Sequence, residues 1–184
     1  MKRLIDVGIA ILLLVLLLPL LLLLPLLIRL ESKGSPFFIQ RRVGIDGKVF
    51  RMFKFRSMVA DAEKIGPHYS SKTDKRITRV GRVLRKTSLD ELPQLVNVLL
   101  GDMSLVGPRP DVPQQQNDYS VSDWKLRTSV RPGITGLAQA TLRSSATAAE
   151  RTKLDLEYVN NISVAMDLRI LGLTVRQVLG KGGY

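Results

Sequence analysis

Asp90 and Glu91 are adjacent carboxylates in a stretch of sequence that is otherwise rich in cations. Arg109 follows them, and a basic run precedes them, made of Arg76, Arg79, Arg82, Arg85 and Lys86. Acids among cations could act as nucleophile or base toward an anionic substrate, because the cations hold the substrate's charge. A structural explanation competes with this one, and it is favoured when residues 88–91 are considered in isolation. Ser88 and Glu91 have the spacing of a capping box, and acids in the first turn of a helix complement its dipole.

The composition restricts which chemistry is available. The chain has 184 residues, enough for one compact domain with an appendage, and its formal charge of +12 predicts an anionic partner. It has no cysteine, which excludes disulfides, thiolate nucleophiles and cysteine-ligated zinc. His68 is the only histidine, so a multi-histidine metal site is impossible and a Ser-His-Asp triad would need His68 as its base. Acid–base chemistry therefore falls mainly to carboxylates, lysine or tyrosine.

The basic run has three explanations. The usual one is a solvated face of a helix. The second is a wall that binds phosphate, since arginine recognises phosphate with two parallel hydrogen bonds. The third is nucleic-acid binding, but the chain has only one Trp, four Tyr and five Phe to stack on bases, and DNA binding would not explain the apolar N-terminus. We therefore expect no nucleic-acid partner.

Other residues could contribute to the same site. The Gly-Pro-Arg-Pro segment 107–110 is a rigid turn, because each proline fixes its own φ and disfavours helix in the residue before it, and it could hold Arg109 in one orientation. Segment 131–136 has similar composition, and its two glycines would allow close backbone approach to a ligand. Lys54 alternates with phenylalanines, as on a strand with one wet face. Asp155 is either a distant acid of this site or a charge on a helix surface.

The N-terminus predicts a membrane anchor. Val7–Ile28 is an apolar run of 22 residues, and a bilayer span needs roughly 20. Pro19 and Pro25 favour a kink. Both flanks are basic, which is natural for a hairpin with both ends in the cytoplasm. We predict a re-entrant membrane helix in residues 1–31, in preference to a straight span or a cleaved signal peptide.

Residues 32–184 predict one small cytoplasmic domain of the α+β class, mainly helical with a short β-hairpin. The hairpin strands are expected at 35–40 and 48–55, around a turn at 44–47. Helices are expected at 77–85, 88–100, 112–117, 121–127, 148–160 and 167–179. The apolar stripe of the last helix (Leu168, Leu171, Val175 and Val178) could pack in the core or lie on the bilayer surface.

Five segments together carry a resemblance to a known family, the bacterial sugar transferases. They occur in that family's order and are residues 2–6, 54–58, 88–95, 101–110 and 131–136. More narrowly, the chain resembles the small monotopic phosphoglycosyl transferases. The similarity covers nearly the whole chain, and it reverses the preference for a purely structural Asp90-Glu91 pair. A helix N-terminus beginning at Ser88 would then present Asp90 to an incoming phosphate.

The resemblance implies an activity. Such enzymes transfer a sugar-1-phosphate from a UDP-sugar to undecaprenyl (polyprenyl) phosphate and release UMP, which is the first membrane step of bacterial glycoconjugate synthesis. Asp90 would be the nucleophile that forms an aspartyl phosphosugar, and Glu91 would either help hold Mg²⁺ with Asp90 or accept a proton. The family implies substrate-binding roles for Lys54, Arg85, Arg109, Arg143 and Asp155. We add the loop cation Arg131 to this set. The protein would act at the cytoplasmic face of the inner membrane, in contact with its lipids. It could form a homodimer there.

Two features of the anchor qualify this resemblance. Small members of the family often have Ser-Pro at the break of the membrane helix, whereas this chain has Leu18-Pro19. Asp6 would be costly in hydrocarbon, so we expect it at the interface and paired with Arg3. The alternative to an enzyme is a membrane adaptor without catalytic activity, whose basic face binds anionic lipid or nucleic acid. The motifs specify neither the sugar nor the pathway.

Overall fold

The apolar N-terminus folds as two helices that meet at a sharp bend. In the computed structural model, which describes residues 1–62, 74–142 and 147–181, helix α1 is Lys2–Leu16 and helix α2 is Leu18–Glu31. They are bent by 64°. Pro19 lies in the first turn of α2, where its missing N–H removes no helical hydrogen bond, and the break falls just before it. Within the described ranges no single helix has the length and hydropathy to cross a membrane, although this bent pair together does.

The predicted β-hairpin is confirmed. Strands β1 (Phe37–Val43) and β2 (Val49–Phe55) pair antiparallel, and a 3₁₀ turn at Ile45–Gly47 joins them. Asn97, which is fully buried, ties β2 to the rest of the domain. Its side-chain oxygen accepts from the Phe53 N–H at 3.0 Å, and its side-chain nitrogen donates to the carbonyl of the β2 residue Arg51 at 2.7 Å. These bonds place β2, and with it Lys54, beside the helix that contains Asn97.

The prediction that Ser88 caps the N-terminus of the following helix is wrong. Helix α3 (Arg79–Thr87) ends at Ser88, which takes a left-handed φ of 58° and makes no side-chain capping bond. Leu89–Glu91 then form a 3₁₀ turn, and helix α4 begins only at Gln94 and ends at Leu100. Pro93 has no N–H, so it cannot donate the hydrogen bond that would continue a helix back to residue 89. The acid pair therefore lies on a turn between two helices.

The C-terminal half agrees with most of the predicted helices. Helix α5 is Val121–Arg127, α6 is Leu137–Leu142, α7 is Ala148–Asn160 and α8 is Val164–Lys181. The predicted polar helix at 112–117 is a 3₁₀ helix, Pro113–Asp118. Two strands of three residues were not predicted: β3 (Ser104–Val106) and β4 (Gly133–Thr135) pair parallel. They bring the segments 107–110 and 131–136 side by side.

Helix α1 shares its core with the rest of the domain. Ala10 is fully buried and packs in one cluster with Met52, Val98, Tyr158 and Ile170. The predicted pairing of Asp6 with Arg3 is wrong, because Asp6 has other partners. Asp6 is 5% exposed, accepts from the Ser104 hydroxyl at 2.8 Å and from the Leu105 N–H at 3.3 Å, and lies 4.0 Å from Lys2.

The apolar stripe of α8 is divided between core and surface. Ile170 is fully buried, and Leu171 packs against the same core. Leu168 is 59% exposed and Val175 is 57% exposed. The core-facing side of α8 therefore runs through Ile170, and part of the predicted stripe points outward.

Candidate active site

The 3₁₀ turn Leu89–Glu91 presents the two carboxylates to strand β2. Leu89 and Leu92, on either side of the pair, pack against the small core formed by Leu24, Ile28, Phe55 and Leu84. Burying these two leucines orients the turn, so the intervening side chains of Asp90 and Glu91 are held rather than left on a mobile loop. The geometry of the pair thus depends on α2, β2 and α3 at once.

Glu91 is the centre of an ion-pair cluster. The ammonium of Lys54 donates to Glu91 Oε1 at 2.7 Å, and the guanidinium of Arg109 donates to the same oxygen at 3.2 Å. The side chains of Glu91 and Lys54 are 19% and 14% exposed. Burial alone would raise the pKa of Glu91, but Lys54 and then Arg109 lower that pKa to about 2. Glu91 is therefore ionised at neutral pH, and its Oε2 accepts no hydrogen bond from the described residues.

Asp90 lies in a different electrostatic setting from its neighbour. Burial raises the pKa of Asp90, and the charge of Glu91 raises it further, while Lys54, Arg85 and Arg109 act in the opposite direction. Within the described ranges its carboxylate has no hydrogen-bond or ion-pair partner. Two adjacent carboxylates whose pKa values are pushed apart can take different roles in one reaction. Of the two, Asp90 is the carboxylate that no other described residue holds in place.

Lys54 is the third member of this cluster. Burial lowers the pKa of Lys54, and Glu91 is the strongest opposing influence. Arg42, Met52, Gln94 and Pro110 line a small cleft together with Lys54 and Arg109. The two cations that hold Glu91 thus also face a cleft.

The structure separates Arg85 from the rest of the basic run. Arg85 donates to the hydroxyl of Ser57 at 2.8 Å and acts electrostatically on Asp90. Arg76 instead makes an ion pair with Asp74 at 2.7 Å. The remaining cations of the run are exposed on α3 and are Arg79, Arg82 and Lys86. A solvated face therefore accounts for most of the run, and only its Arg85 joins the carboxylates.

The two glycine-containing loops approach each other. A Cβ atom at Gly133 would lie 2.1 Å from the Gly107 nitrogen, and one at Gly136 would lie 2.3 Å from the Gly107 oxygen. Any side chain at these positions would force the backbones apart. The missing side chains therefore make room for the backbone that leads to Arg109.

Two predicted substrate-binding residues, Arg131 and Asp155, are not placed beside the carboxylates. Arg131 donates to the carbonyl of Gly101 at 2.8 Å, at the end of α4 opposite to the acid pair. Asp155 is 1% exposed, and its carboxylate binds Arg127. Arg143, like His68, lies outside the described residues. Of the predicted set, the structure therefore brings together Asp90, Glu91, Lys54, Arg85 and Arg109.

Arg127 is a residue that the sequence reasoning missed. It is 4% exposed and binds Asp111, Asp155 and the carbonyl of Arg109. The one local signal is its position three residues after Trp124, which puts a cation on the apolar face of a short helix.

Asp90 and Glu91 have carboxylate oxygens of the kind that bind a divalent cation. Among the described residues no group of three or more His, Cys, Asp or Glu side chains could hold a metal by itself. Mg²⁺, however, is commonly held by one or two carboxylates together with substrate phosphates and water. Asp90 and Oε2 of Glu91 could supply those oxygens, because neither is engaged by another described residue.

The chain is similar to known proteins over nearly its whole length. The family model described as bacterial sugar transferase matches residues 1–181. The undecaprenyl-phosphate glucose phosphotransferase of Komagataeibacter xylinus is 43% identical over 100% of this chain and 37% of its own length. The UDP-N-acetylgalactosamine-undecaprenyl-phosphate N-acetylgalactosaminephosphotransferase of Aeromonas hydrophila is 42% identical over 97% of this chain and 43% of its own. This chain thus spans about two fifths of the length of both relatives. It also aligns over 89% of an uncharacterized sugar transferase, EpsL, of Bacillus subtilis strain 168, at 42% identity.

Proposed function

The chain belongs to the bacterial sugar transferase family, and on that premise we propose that it transfers a sugar-1-phosphate from a UDP-sugar to polyprenyl phosphate. The observation that carries the proposal is the cluster in which Lys54 and Arg109 hold Glu91 beside Asp90, whose carboxylate has no partner in the described part of the chain. The names of the relatives support both substrates, since one names a glucose and the other an N-acetylgalactosamine phosphotransferase acting with undecaprenyl phosphate. The chain would serve the synthesis of a bacterial polysaccharide or another glycoconjugate.

The reaction proceeds in two displacements at one phosphorus atom. In the first, a carboxylate oxygen of Asp90 attacks the β-phosphorus of the UDP-sugar, the bond to the bridging oxygen breaks, and UMP leaves with that oxygen. In the second, a phosphate oxygen of the polyprenyl phosphate attacks the same phosphorus, and the bond to Asp90 breaks. The products are a polyprenyl diphosphate sugar and a regenerated Asp90 carboxylate. Splitting the transfer suits a soluble donor and an acceptor in the membrane.

The cations of the site supply the electrostatic part of catalysis. The diphosphate brings negative charge next to Asp90 and Glu91, and Lys54, Arg85 and Arg109 offset it. These three come from β2, α3 and the loop 107–110, so the substrate is held from three directions. Arg143 stays a proposed contact of the donor. We leave Arg131 and Asp155 out of the direct contacts, because their polar groups are engaged elsewhere.

Mg²⁺ is the proposed cofactor, with Asp90 and Glu91 as its protein ligands. Bound there together with the donor, it would neutralise phosphate charge. Glu91 has a second possible task, which is to accept a proton from the acceptor phosphate. A pKa of about 2 makes Glu91 a weak base, so the structure favours the role of ligand.

The bent helix pair is the proposed membrane anchor. Its outward side chains are apolar and exposed, among them Leu12, Val15, Leu16, Leu22 and Leu30. An apolar surface of this extent marks contact with lipid or protein. We propose that the pair enters the inner membrane from the cytoplasmic face and returns, so that both termini and the catalytic domain lie in the cytoplasm among anionic lipid headgroups.

The topology can be tested cleanly because the chain has no native cysteine. A cysteine added before Met1 should stay unlabelled by a thiol reagent restricted to the periplasm, as should Lys48→Cys in the exposed hairpin turn. Both should label after the membrane is permeabilised. Labelling of the N-terminal cysteine in intact cells, with Lys48→Cys protected, would indicate a straight span instead.

The activity is tested with a panel of radiolabelled UDP-sugars and undecaprenyl phosphate. We expect UMP release and labelled lipid with at least one sugar, and loss of both in Asp90→Asn. Without turnover on any sugar, or with full activity in Asp90→Asn, the proposal fails. Binding to anionic vesicles that weakens with salt and is unaffected by Asp90→Ala, in a protein without turnover, would favour the membrane adaptor.

A further inference from the structure

The backbone of residues 106–111, which includes Arg109, accepts hydrogen bonds at almost every carbonyl. Two of its residues are prolines, which have no N–H, so carbonyl oxygens are the main groups by which the protein can grip this segment. The donors are the hydroxyl of Tyr158 to Val106 at 3.0 Å, Gly133 N–H to Pro108 at 2.9 Å, Arg127 to Arg109 at 2.5 Å, Arg42 to Pro110 at 2.9 Å, and Val43 N–H to Asp111 at 2.9 Å.

Arg127 is the donor to the residue that matters most for the site. It comes from the end of α5, is 4% exposed, and its NH2 group binds the Arg109 carbonyl at 2.5 Å. The same guanidinium binds Asp111 at 2.5 Å and Asp155 at 2.9 Å. It also lies 5.2 Å from the centre of the Tyr119 ring. All sides of the planar group are therefore engaged.

This arrangement orients the main chain rather than the substrate. Asp111 and Asp155 fix the plane of the guanidinium, and the remaining N–H direction then points at the carbonyl of Arg109. On the other side of that residue, its own side chain reaches Glu91 at 3.2 Å. Removing one member of a buried charge triad leaves the others uncompensated, so the three charges hold one another and the Arg109 carbonyl in a fixed arrangement.

We propose that Arg127 is a positioning residue for the donor-phosphate site. By donating a hydrogen bond to the carbonyl of Arg109, it sets the orientation in which the Arg109 side chain contacts Glu91 and the donor. The inference rests on the proposed function. It also gives Asp155 a role, which is to orient Arg127 from beneath the site.

A double-mutant cycle between Arg127 and Arg109 tests the proposal. Arg127→Lys keeps the charge that balances the two buried acids, but its donors radiate from one nitrogen and cannot reproduce bonds that Arg127 makes from three. With the full-length protein in detergent, kcat/KM for the donor should fall by on the order of 10- to 100-fold, since small displacements of a binding group are costly. The loss should lie mainly in the donor KM, with the polyprenyl-phosphate KM unchanged.

The diagnostic result is that Arg109→Ala reduces kcat/KM for the donor much less in the Arg127→Lys background than in the native protein. Arg109→Ala should be strongly damaging in the native background and should cost no more than roughly 3-fold in the Arg127→Lys background, because residues that act through one another are not additive. Arg41→Lys, an exposed arginine of β1, is the matched control and should leave the donor KM unchanged.

The possible failures are distinguishable. If the native protein releases UMP but Arg127 and Arg109 combine additively, or Arg127→Lys has a native donor KM, the positioning role is refuted while the proposed function stands. If Arg127→Lys raises the KM of both substrates equally, Arg127 serves the fold alone and the inference is overturned. If the native protein releases no UMP from any donor, the proposed function fails and this inference falls with it.

Discussion

Lys54→Met removes the nearer of the two cations that hold Glu91. The ammonium lies 2.7 Å from Glu91 Oε1, and both side chains are mostly buried. A pKa of about 2 for Glu91, against an ordinary 4.5, corresponds to roughly 3 kcal/mol in favour of its ionised form. Arg109 supplies part of this and stays in the variant. Because removing one partner leaves a buried carboxylate less well compensated, we expect Lys54→Met to lower the free energy of unfolding by about 2–3 kcal/mol at pH 7.

The pH dependence of this loss identifies its cause. The pKa of Glu91 is depressed in the folded protein, so its stabilisation is complete above pH 4.5 and disappears as the pH falls toward 2. The difference in stability between the native protein and Lys54→Met should therefore be large at pH 7 and shrink between pH 4.5 and pH 2.

Thermal unfolding in detergent measures the difference directly. For a chain of this size, 1 kcal/mol shifts the Tm by about 2–4 °C, so Lys54→Met should unfold roughly 4–12 °C lower at pH 7. Lys48→Met removes an exposed lysine from the hairpin turn and should stay within about 0.5 kcal/mol of the native protein. A native Tm for Lys54→Met, or a loss of the same size at pH 7 and pH 2.5, would refute the reasoning.

Further predictions concern the anchor, the packing and the metal. Asp6→Ala removes the acceptor of the Ser104 hydroxyl and should lower the free energy of unfolding by about 1–3 kcal/mol; an unchanged denaturation midpoint would speak against this contact. Gly81→Ala should lower the free energy of unfolding by about 1–3 kcal/mol, because its Cβ would lie 1.9 Å from the carbonyl oxygen of Ser57. Gly172→Ala, whose Cβ meets nothing within 4 Å, should be neutral or stabilising by up to about 1 kcal/mol, and equal midpoints for the two glycine variants would contradict the packing. Chelation with EDTA should stop UMP release and added Mg²⁺ should restore it; undiminished turnover after exhaustive chelation would exclude the metal.

Local patterns predicted much of the fold. The hairpin followed from alternating residues around a turn, and helices α5 and α7 have the predicted bounds because periodicity and capping residues agree there. Strands β3 and β4 escaped prediction, since three residues are too few for a period of two to be visible. Ser88 misled because its spacing to Glu91 suits a capping box, whereas Pro93 prevents the helix from starting there.

The site was only partly accessible from the sequence. The types of its residues are informative, but Lys54 and Arg109 lie 37 and 18 positions from Glu91, and nothing local shows that they meet on one oxygen. Arg127 looks like any helix cation until its burial is known. Asp155 was predicted as a contact of the substrate, and only the folded chain shows that its partner is Arg127.

The central claim is that Asp90 is a nucleophile that carries the phosphosugar between two substrates. The most direct test is to incubate the protein with UDP-sugars labelled with ³²P in the β-phosphate, without any polyprenyl phosphate, and to measure label and mass retained on the denatured protein. The account predicts one sugar-phosphate on the peptide that contains Asp90, formed with release of UMP, absent in Asp90→Asn and discharged when polyprenyl phosphate is added. UMP release and lipid labelling without any protein-bound label, or with the label on a different residue, would contradict it.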